Sequence, residues 1–213
     1  LYQSTDKGLT WARVDDGSIA VGHKITAIHF SPDYIDDLLV FIVVEYTGIF
    51  ASTDGGLTWQ VHRGDIEDPW WVSGLVLSSD FSSDRTMFVY GSDRVLKSQD
   101  AGATWLTATT QISSIQALTV APNYADENTI WIGTDSCEED KTRFWRSSDG
   151  GETFLPLPDT PGHAPCHLRT VEASPNYAVD RTLFAGDDWS GVYRSQDSGL
   201  TWQRVLDGHF NRN

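Results

Sequence analysis

The chain has 213 residues, enough to bury a sizeable core in one large domain or two small ones. Its 30 acidic and 15 basic residues leave a formal charge of −15, which repels phosphate backbones and anionic membrane surfaces and argues against nucleic-acid binding. No apolar run approaches the roughly 20 residues of a bilayer span, 12% aromatics argue against disorder, and two cysteines make neither a disulfide scaffold nor a four-cysteine zinc site.

The chain begins at Leu1 with no visible signal peptide, so a processed chain or a piece of a longer one is expected. Its first element, LYQS, is a short strand that runs into the box Ser-x-Asp-x-Gly-x-Thr-Trp at Ser4 to Trp11. After the connection DDGSIAVGHK come an alternating run (ITAIHF), a turn and apolar run (SPDYIDDLLVFIVV), a short strand (GIFAS) and a second box at Ser52 to Trp59. The same order recurs three times, with boxes at Ser98 to Trp105, Ser147 to Phe154 and Ser195 to Trp202. The box aspartates Asp6, Asp54, Asp100, Asp149 and Asp197 recur every 46 to 49 residues. The segments between them share one phase: SSDFSSDRTMFVYG, APNYADENTIWIGT and SPNYAVDRTLFAGD follow VSGLVL, IQALTV and LRTVEA.

Each unit therefore holds four short strands, A to D, bounded by turn residues and free of helical periodicity. Four antiparallel strands per repeat of this length predict an all-β fold, a β-propeller of four-stranded blades with the box as the C–D hairpin. The expected unit is a single domain over 1–213, with two leading strands plus four blades. Such a chain is a fragment of a ring of six or more blades, a five-bladed ring with one thin blade, or a ring closed by another chain; the fragment is the favoured reading. Open ends would leave strand edges through which the chain could associate.

The box has a mechanical reading. Its glycine supplies a positive-φ turn, its aspartate accepts hydrogen bonds from its own turn, and its tryptophan buries an apolar face between sheets. The five box aspartates are accordingly expected to be structural. The motif resembles that of the Asp-box (BNR) repeat family, whose members include sialidases, xyloglucan-hydrolysing glycosidases, the sortilin ectodomain and a photosystem II assembly factor. The resemblance covers nearly the whole chain. It implies a β-propeller, often secreted, hosting either an enzyme or a binder, with ligands on the face opposite the boxes or in the central channel.

The D–A connections and B–C loops vary while the strands repeat, and function is expected there. Trp70, Trp71 and Trp189 fall in these loops, where they stack on sugars, anchor a protein partner, or plug the gap between blades. Trp131 and Trp145 replace other apolar residues within strands and are expected in the core. Arg63, Arg94 and Arg143 are the loop-face cations, named with the three tryptophans as candidate ligand-binding residues. A glycosidase needs two carboxylates flanking the scissile bond; Asp187 and Asp188 before Trp189 are the first candidates, and Asp65, Glu67 and Asp68 before Trp70 and Trp71 the second. No Arg-Ile-Pro segment is present, and an acidic chain is a poor host for an anionic sugar, so sialidase activity is not expected. Cys137 and Cys166, in long loops of neighbouring blades, are either a disulfide pair, which would place the chain in an oxidising compartment, or two unrelated thiols. His23, His62, His163 and His167 show no zinc spacing, and no metal site is expected; the acidic clusters Asp36–Asp37 and Glu138–Asp140 could hold Ca²⁺ but lack EF-hand spacing. The expected function is a non-catalytic extracellular or cell-surface recognition module (a periplasmic one is the variant) for a protein or glycan. The alternatives are a xyloglucanase-like glycoside hydrolase and a structural subunit of a larger assembly.

Overall fold

The computed structural model describes residues 1–14, 17, 19, 23–67, 71–109, 111–136, 142–158, 167–188 and 191–207. Four antiparallel sheets of four strands follow a two-stranded leader made of β1 (Tyr2–Gln3) and β2 (Ala12–Arg13). Blade 1 is β3 (Ile25–Phe30), β4 (Val40–Val44), β5 (Gly48–Ser52) and β6 (Gln60–Val61). Blade 2 is β7 (Gly74–Leu77), β8 (Met87–Tyr90), β9 (Val95–Ser98) and β10 (Leu106–Thr109). Blade 3 is β11 (Ile115–Val120), β12 (Ile130–Thr134), β13 (Phe144–Ser147) and β14 (Leu155–Pro156). Blade 4 is β15 (Leu168–Ala173), β16 (Leu183–Asp187), β17 (Gly191–Ser195) and β18 (Gln203–Asp207). Sequential strands pair throughout, in the A-B-C-D order the repeats predict.

The core lies between blades, because strand B is apolar on both faces in blades 1 to 3. All five residues of β4 are buried. Three clusters of buried side chains join blade 1 to 2, 2 to 3 and 3 to 4, and a fourth holds Leu1 of the leader against blade 1. Trp131 is fully buried between blades 3 and 4, and Trp145, half-buried, packs on the other face of blade 3, toward blade 2.

The A–B turns are more ordered than an unstructured turn. Each carries one helical turn: α1 (Tyr34–Asp37), α2 (Phe81–Asp84), α3 (Tyr124–Glu127) and α4 (Tyr177–Asp180). Four residues are too few to show a 3.6-residue period, so sequence patterning passes over them. In blade 1 the Ser31 hydroxyl donates to Asp37 Oδ2 at 2.6 Å, and Asp37 Oδ1 accepts the Leu39 amide at 2.9 Å. Blades 2 and 4 repeat this with Ser78–Asp84 and Ser174–Asp180. Blade 3 has Ala121 and Glu127 instead, and Glu127 pairs with Arg181 of blade 4. The residue after each helical turn is left-handed (φ 51° to 52°) and its carbonyl accepts an amide from the box of the same blade. These bonds are Gly55 N to Leu38 O, Ala101 N to Arg85 O, Gly150 N to Asn128 O and Ser198 N to Arg181 O, at 2.9 to 3.1 Å. The A–B and C–D turns are thereby tied into one rim.

Each box repeats one hydrogen-bond set. In the second, Ser52 Oγ donates to Asp54 Oδ1 (2.7 Å) and accepts the Gly56 amide (2.8 Å). Thr58 donates its amide to Asp54 Oδ1 (2.9 Å) and its hydroxyl to Oδ2 (2.6 Å). The box tryptophan is buried in Trp59, Trp105 and Trp202, but Trp11 is 63% exposed, because the described residues place no blade before the leader.

Candidate binding cleft

The cleft is built by the connection from blade 1 to blade 2. Past β6, His62 Nε2 bonds the Ala101 carbonyl of the next blade at 2.6 Å. Gly64 has φ +55°, and a Cβ there would come within 2.3 Å of the Gly102 carbonyl oxygen, so only glycine allows this approach. Asp65 Oδ1 then accepts the Trp105 amide at 3.0 Å, and Ile66 is buried beneath. Residues 62–65 thus rest on the box hairpin of the following blade before the connection reaches the B–C rim, where Ser73 donates its amide to the Tyr90 carbonyl at 2.8 Å; the connections into blades 1, 3 and 4 also end at that rim, bonded to Glu45, Asp135 and Asp188. The contact with the box follows from the shortness of strand D, which hands the chain over before it has crossed the blade.

The second wall is the B–C turn of blade 2. Asp93 grips Arg94 with both oxygens (2.9 and 3.0 Å), and the Arg94 guanidinium lies 5.1 Å over the Trp71 ring. The Asp93–Arg94 hydrogen bonds hold the Asp93 carboxyl below its ordinary pKa and the guanidinium above its own. Between the walls is a cavity of about 560 Å³, lined by Asp65, Glu67, Trp71, Asp93, Arg94 and Trp105 among others. The fold thus gathers Asp65, Glu67, Trp71 and Arg94 in one place. Trp105 carries an irregularity. Trp11, Trp59 and Trp202 donate their indole N–H to a box glycine carbonyl (3.0 to 3.2 Å), whereas the buried Trp105 Nε1 has no acceptor. Sequence alone cannot show this, since the Gly64 segment that crowds the Gly102 carbonyl comes from another repeat.

The remaining candidates are dispersed. Arg63 is exposed beside the cleft but does not line it. Arg143 is buried and donates Nε to the Ser136 carbonyl at 3.1 Å, so it closes its own loop rather than facing a ligand. Asp187 accepts the Gly191 amide at 3.2 Å. Asp188 pairs with Arg169 (2.7 Å), which also reaches Asp135 (3.3 Å) and Gln116 (3.0 Å); His167 donates to Asp135 at 2.8 Å. Asp68, Trp70, Trp189, Cys137 and Cys166 lie outside the described residues, as do His163 and Glu138–Asp140. Among the described residues, no group of three or more His, Cys, Asp or Glu is placed to hold a metal ion.

A second space of about 590 Å³ runs along the inner strands of all four blades. The fifth residue of strand A points there in β3, β11 and β15 as His29, Thr119 and Glu172, and Tyr90 joins them from β8. Burial raises the Glu172 carboxyl and lowers the His29 imidazole; burial and then the charge of Glu172 raise the Tyr90 hydroxyl. Sequence reasoning missed these groups. The available signal was polar residues on alternating positions of the innermost strand.

No family model matches the chain, and no curated protein does. Solved structures do. An ancestral GH74 enzyme superposes with a TM-score of 0.66 at 18% identity, over 88% of this chain and 24% of that one. YCF48 bound to D1 peptide matches with a TM-score of 0.63 at 15% identity, over 97% and 60%. The chain is a β-propeller. The extracellular domain of BT4673 from B. thetaiotaomicron gives a TM-score of 0.62 at 12% identity, over 92% of this chain and 23% of that one. This propeller therefore spans about a quarter of the GH74 and BT4673 chains and three fifths of YCF48. At these identities the likeness is one of fold. No described helix is long and apolar enough to cross a membrane.

Proposed function

We propose that this chain is a single-domain recognition propeller of the Asp-box type, working outside the cell or in the periplasm. In this reading it holds a protein segment or a glycan in the cleft beside Trp71 without transforming it. One observation carries the reading: most candidate carboxylates are already committed. Of the five named from the sequence, Asp65 accepts a backbone amide, Asp187 holds its turn and Asp188 is paired with Arg169, and Asp93, which the fold adds to the cleft, is forked onto Arg94. A glycosidase needs an acid and a base or nucleophile facing the scissile bond, whereas a binder needs a rigid aromatic wall with oriented polar groups. Trp71, clamped under Arg94, meets the second need. The Asp-box assignment is supported by five boxes making the same serine–aspartate–threonine bonds.

A hydrolase is the second reading, favoured by the fold likeness to a GH74 enzyme and by Glu67 and Asp93 lining one cavity. The deciding experiment is a glycan and peptide array with the intact chain and Trp71→Ala, alongside release of reducing sugar from xyloglucan. Binding that the variant loses, without sugar release, is the expected result. Sugar release abolished by Glu67→Gln would replace recognition with hydrolysis. No Trp71-dependent binding would remove the cleft from both readings.

A further inference from the structure

The cleft beside Trp71 has a counterpart one blade further on. A space of about 360 Å³ opens between blades 2 and 3, lined by Thr107, Ala108, Thr109, Trp145, Glu152 and Phe154 among others. The two spaces correspond position for position. Leu96 and Trp105 of blade 2 line the first, and Trp145 and Phe154, at the same repeat positions of blade 3, line the second. Thr107 lines both, so β10 is the ridge between two neighbouring clefts.

Two smaller side chains open the second cleft. Its box ends in Phe154, where the other four boxes end in tryptophan. Three residues after the box aromatic, blade 2 has Ala108, where blades 1 and 3 have His62 and Leu157. A Cβ on the facing box glycine would come within 2.9 Å of His62 Nε2 at Gly102 and of Leu157 Cδ1 at Gly199, but would stay 3.9 Å from Ala108 Cβ at Gly151. Ala108 and Phe154 both line the space, beside a half-buried Trp145.

Across both clefts the lining is aromatic and acidic. Trp71, Trp145 and Phe154 supply ring surface, and Asp65, Glu67, Asp93 and Glu152 supply carboxylates. Arg94 is the one cation in either lining among the described residues, and Asp93 holds it with both oxygens. Glu67 and Glu152 are exposed, and among the described residues neither has a hydrogen-bond or ion-pair partner. A sugar hydroxyl can donate to such carboxylates, but only a cation gains from their charge and from the ring faces together.

We propose that the two clefts are consecutive subsites of one groove, and that the groove takes an extended protein segment whose arginine or lysine side chains enter both. The proposal rests on the reading of the Trp71 cleft as a recognition site. Stacked sheets lie about 10 Å apart and an extended chain rises about 3.3 Å per residue, so the two basic residues stand roughly three or more residues apart. Between them the segment crosses the exposed Thr107. The net charge of −15 adds a long-range attraction for such a partner, which salt screens.

The test probes an array of random-sequence peptides and an array of neutral glycans with the intact chain, then titrates the strongest bound peptide at low and at physiological salt. Trp71→Ala reports on the first cleft. Trp145→Leu, which installs the residue blade 2 carries at that position, Glu152→Gln and the space-filling Ala108→Leu report on the second. Circular dichroism checks that each variant folds. Bound peptides are expected to be enriched in paired arginines and lysines, with affinity that falls as salt rises. Trp145→Leu should weaken binding about tenfold. Glu152→Gln, which changes charge and hardly any volume, should weaken it about two- to fivefold and flatten the salt dependence. Trp71-dependent binding that Trp145→Leu and Glu152→Gln both leave unchanged would confine the ligand to the first cleft and sink the groove, while the recognition reading stands. Bound peptides with no excess of basic residues, or Trp71-dependent binding of neutral glycans alone, would likewise overturn the basic segment and leave that reading in place. No binding at all, or binding indifferent to Trp71→Ala, would remove the recognition reading and the groove with it.

Discussion

Asp54 shows how one side chain organises a hairpin. Its two oxygens collect the Ser52 and Thr58 hydroxyls and the Leu57 and Thr58 amides, all within eight residues of chain. The Thr58 hydroxyl and amide, then Ser52, bring its pKa from 3.8 to about 2, and Asp6 and Asp100 are held at about 2 by the equivalent threonine and serine. In Asp149 burial pushes the other way, but Thr153 and Ser147 still bring it to about 2. A folded pKa below the unfolded one stabilises the fold above the unfolded value, and that stabilisation is lost as pH falls through the folded value. Thermal stability is therefore expected to fall steeply between pH 3.8 and about 2, and less steeply in Asp54→Asn, as read by melting curves across pH. His29 adds an earlier, shallower decline. Burial lowers its pKa, so below the ordinary value of 6.5 the unfolded chain takes up the proton first. The box tryptophans separate by context. Trp202→Ala, in the core, is expected to cost about 3–5 kcal/mol in urea unfolding, and Trp11→Ala, at an exposed position, no more than about 0.5 kcal/mol in the same 213-residue chain. The box chemistry was legible in the sequence because all its partners lie inside the motif.

At the scale of elements, legibility falls where partners come from elsewhere in the chain. The strands and their order follow from apolar runs and turn residues. The helical turns do not, since a single turn has no period to detect, although a serine and an aspartate six residues apart recur in three of the four copies, as Ser31–Asp37, Ser78–Asp84 and Ser174–Asp180. The cleft depends on a contact between repeats. Gly64 looks like any loop glycine until its backbone is seen against Gly102 and Ala103. Gly64→Ala is expected to lose at least about 1–2 kcal/mol from left-handed backbone strain alone. It should also move the Asp65 wall, so that ligand binding in the cleft weakens together with stability, in denaturation and titration of the same variant. A silent Gly64→Ala would mean that residues 62–65 are not held against the box. Asp135 and His167, joined at 2.8 Å, stand two residues before Cys137 and one after Cys166. A Cys137–Cys166 linked peptide is therefore expected in a non-reduced digest of protein from an oxidising compartment, and free thiols at both would remove the link.

Across the whole molecule, stability is a chain of neighbour contacts, as in other repeat folds. Blades 2 and 3 are covered on both flanks, while the leader holds its place through two short strands and Leu1. Amide exchange should therefore be slowest in β8 and β12 and fastest in β1 and β2. Uniform protection across the blades would contradict a nearest-neighbour architecture. The inner space is the part least visible in one dimension. His29, Thr119 and Glu172 are separated by dozens of residues and share only a position within strand A. Only the circular arrangement brings them together.

The amide-to-carbonyl ties from Gly55 to Leu38 and their equivalents make each blade's box rim self-contained. The opposite rim is tied differently, each B–C turn to the connection that leads into strand A: Glu45 N to Lys24 O at 2.8 Å in blade 1, Arg94 over Trp71 in blade 2, Asp135 N to Ser114 O at 2.8 Å in blade 3 and Asp188 N to His167 O at 3.3 Å in blade 4. A B–C turn and the connection beside it therefore form one unit, separate from the strand register set at the box rim. For protein engineering, this makes the pair a cassette: a B–C turn is expected to move between repeats only together with its partner connection, so new specificities can be grafted in matched pairs onto a frame that stays fixed.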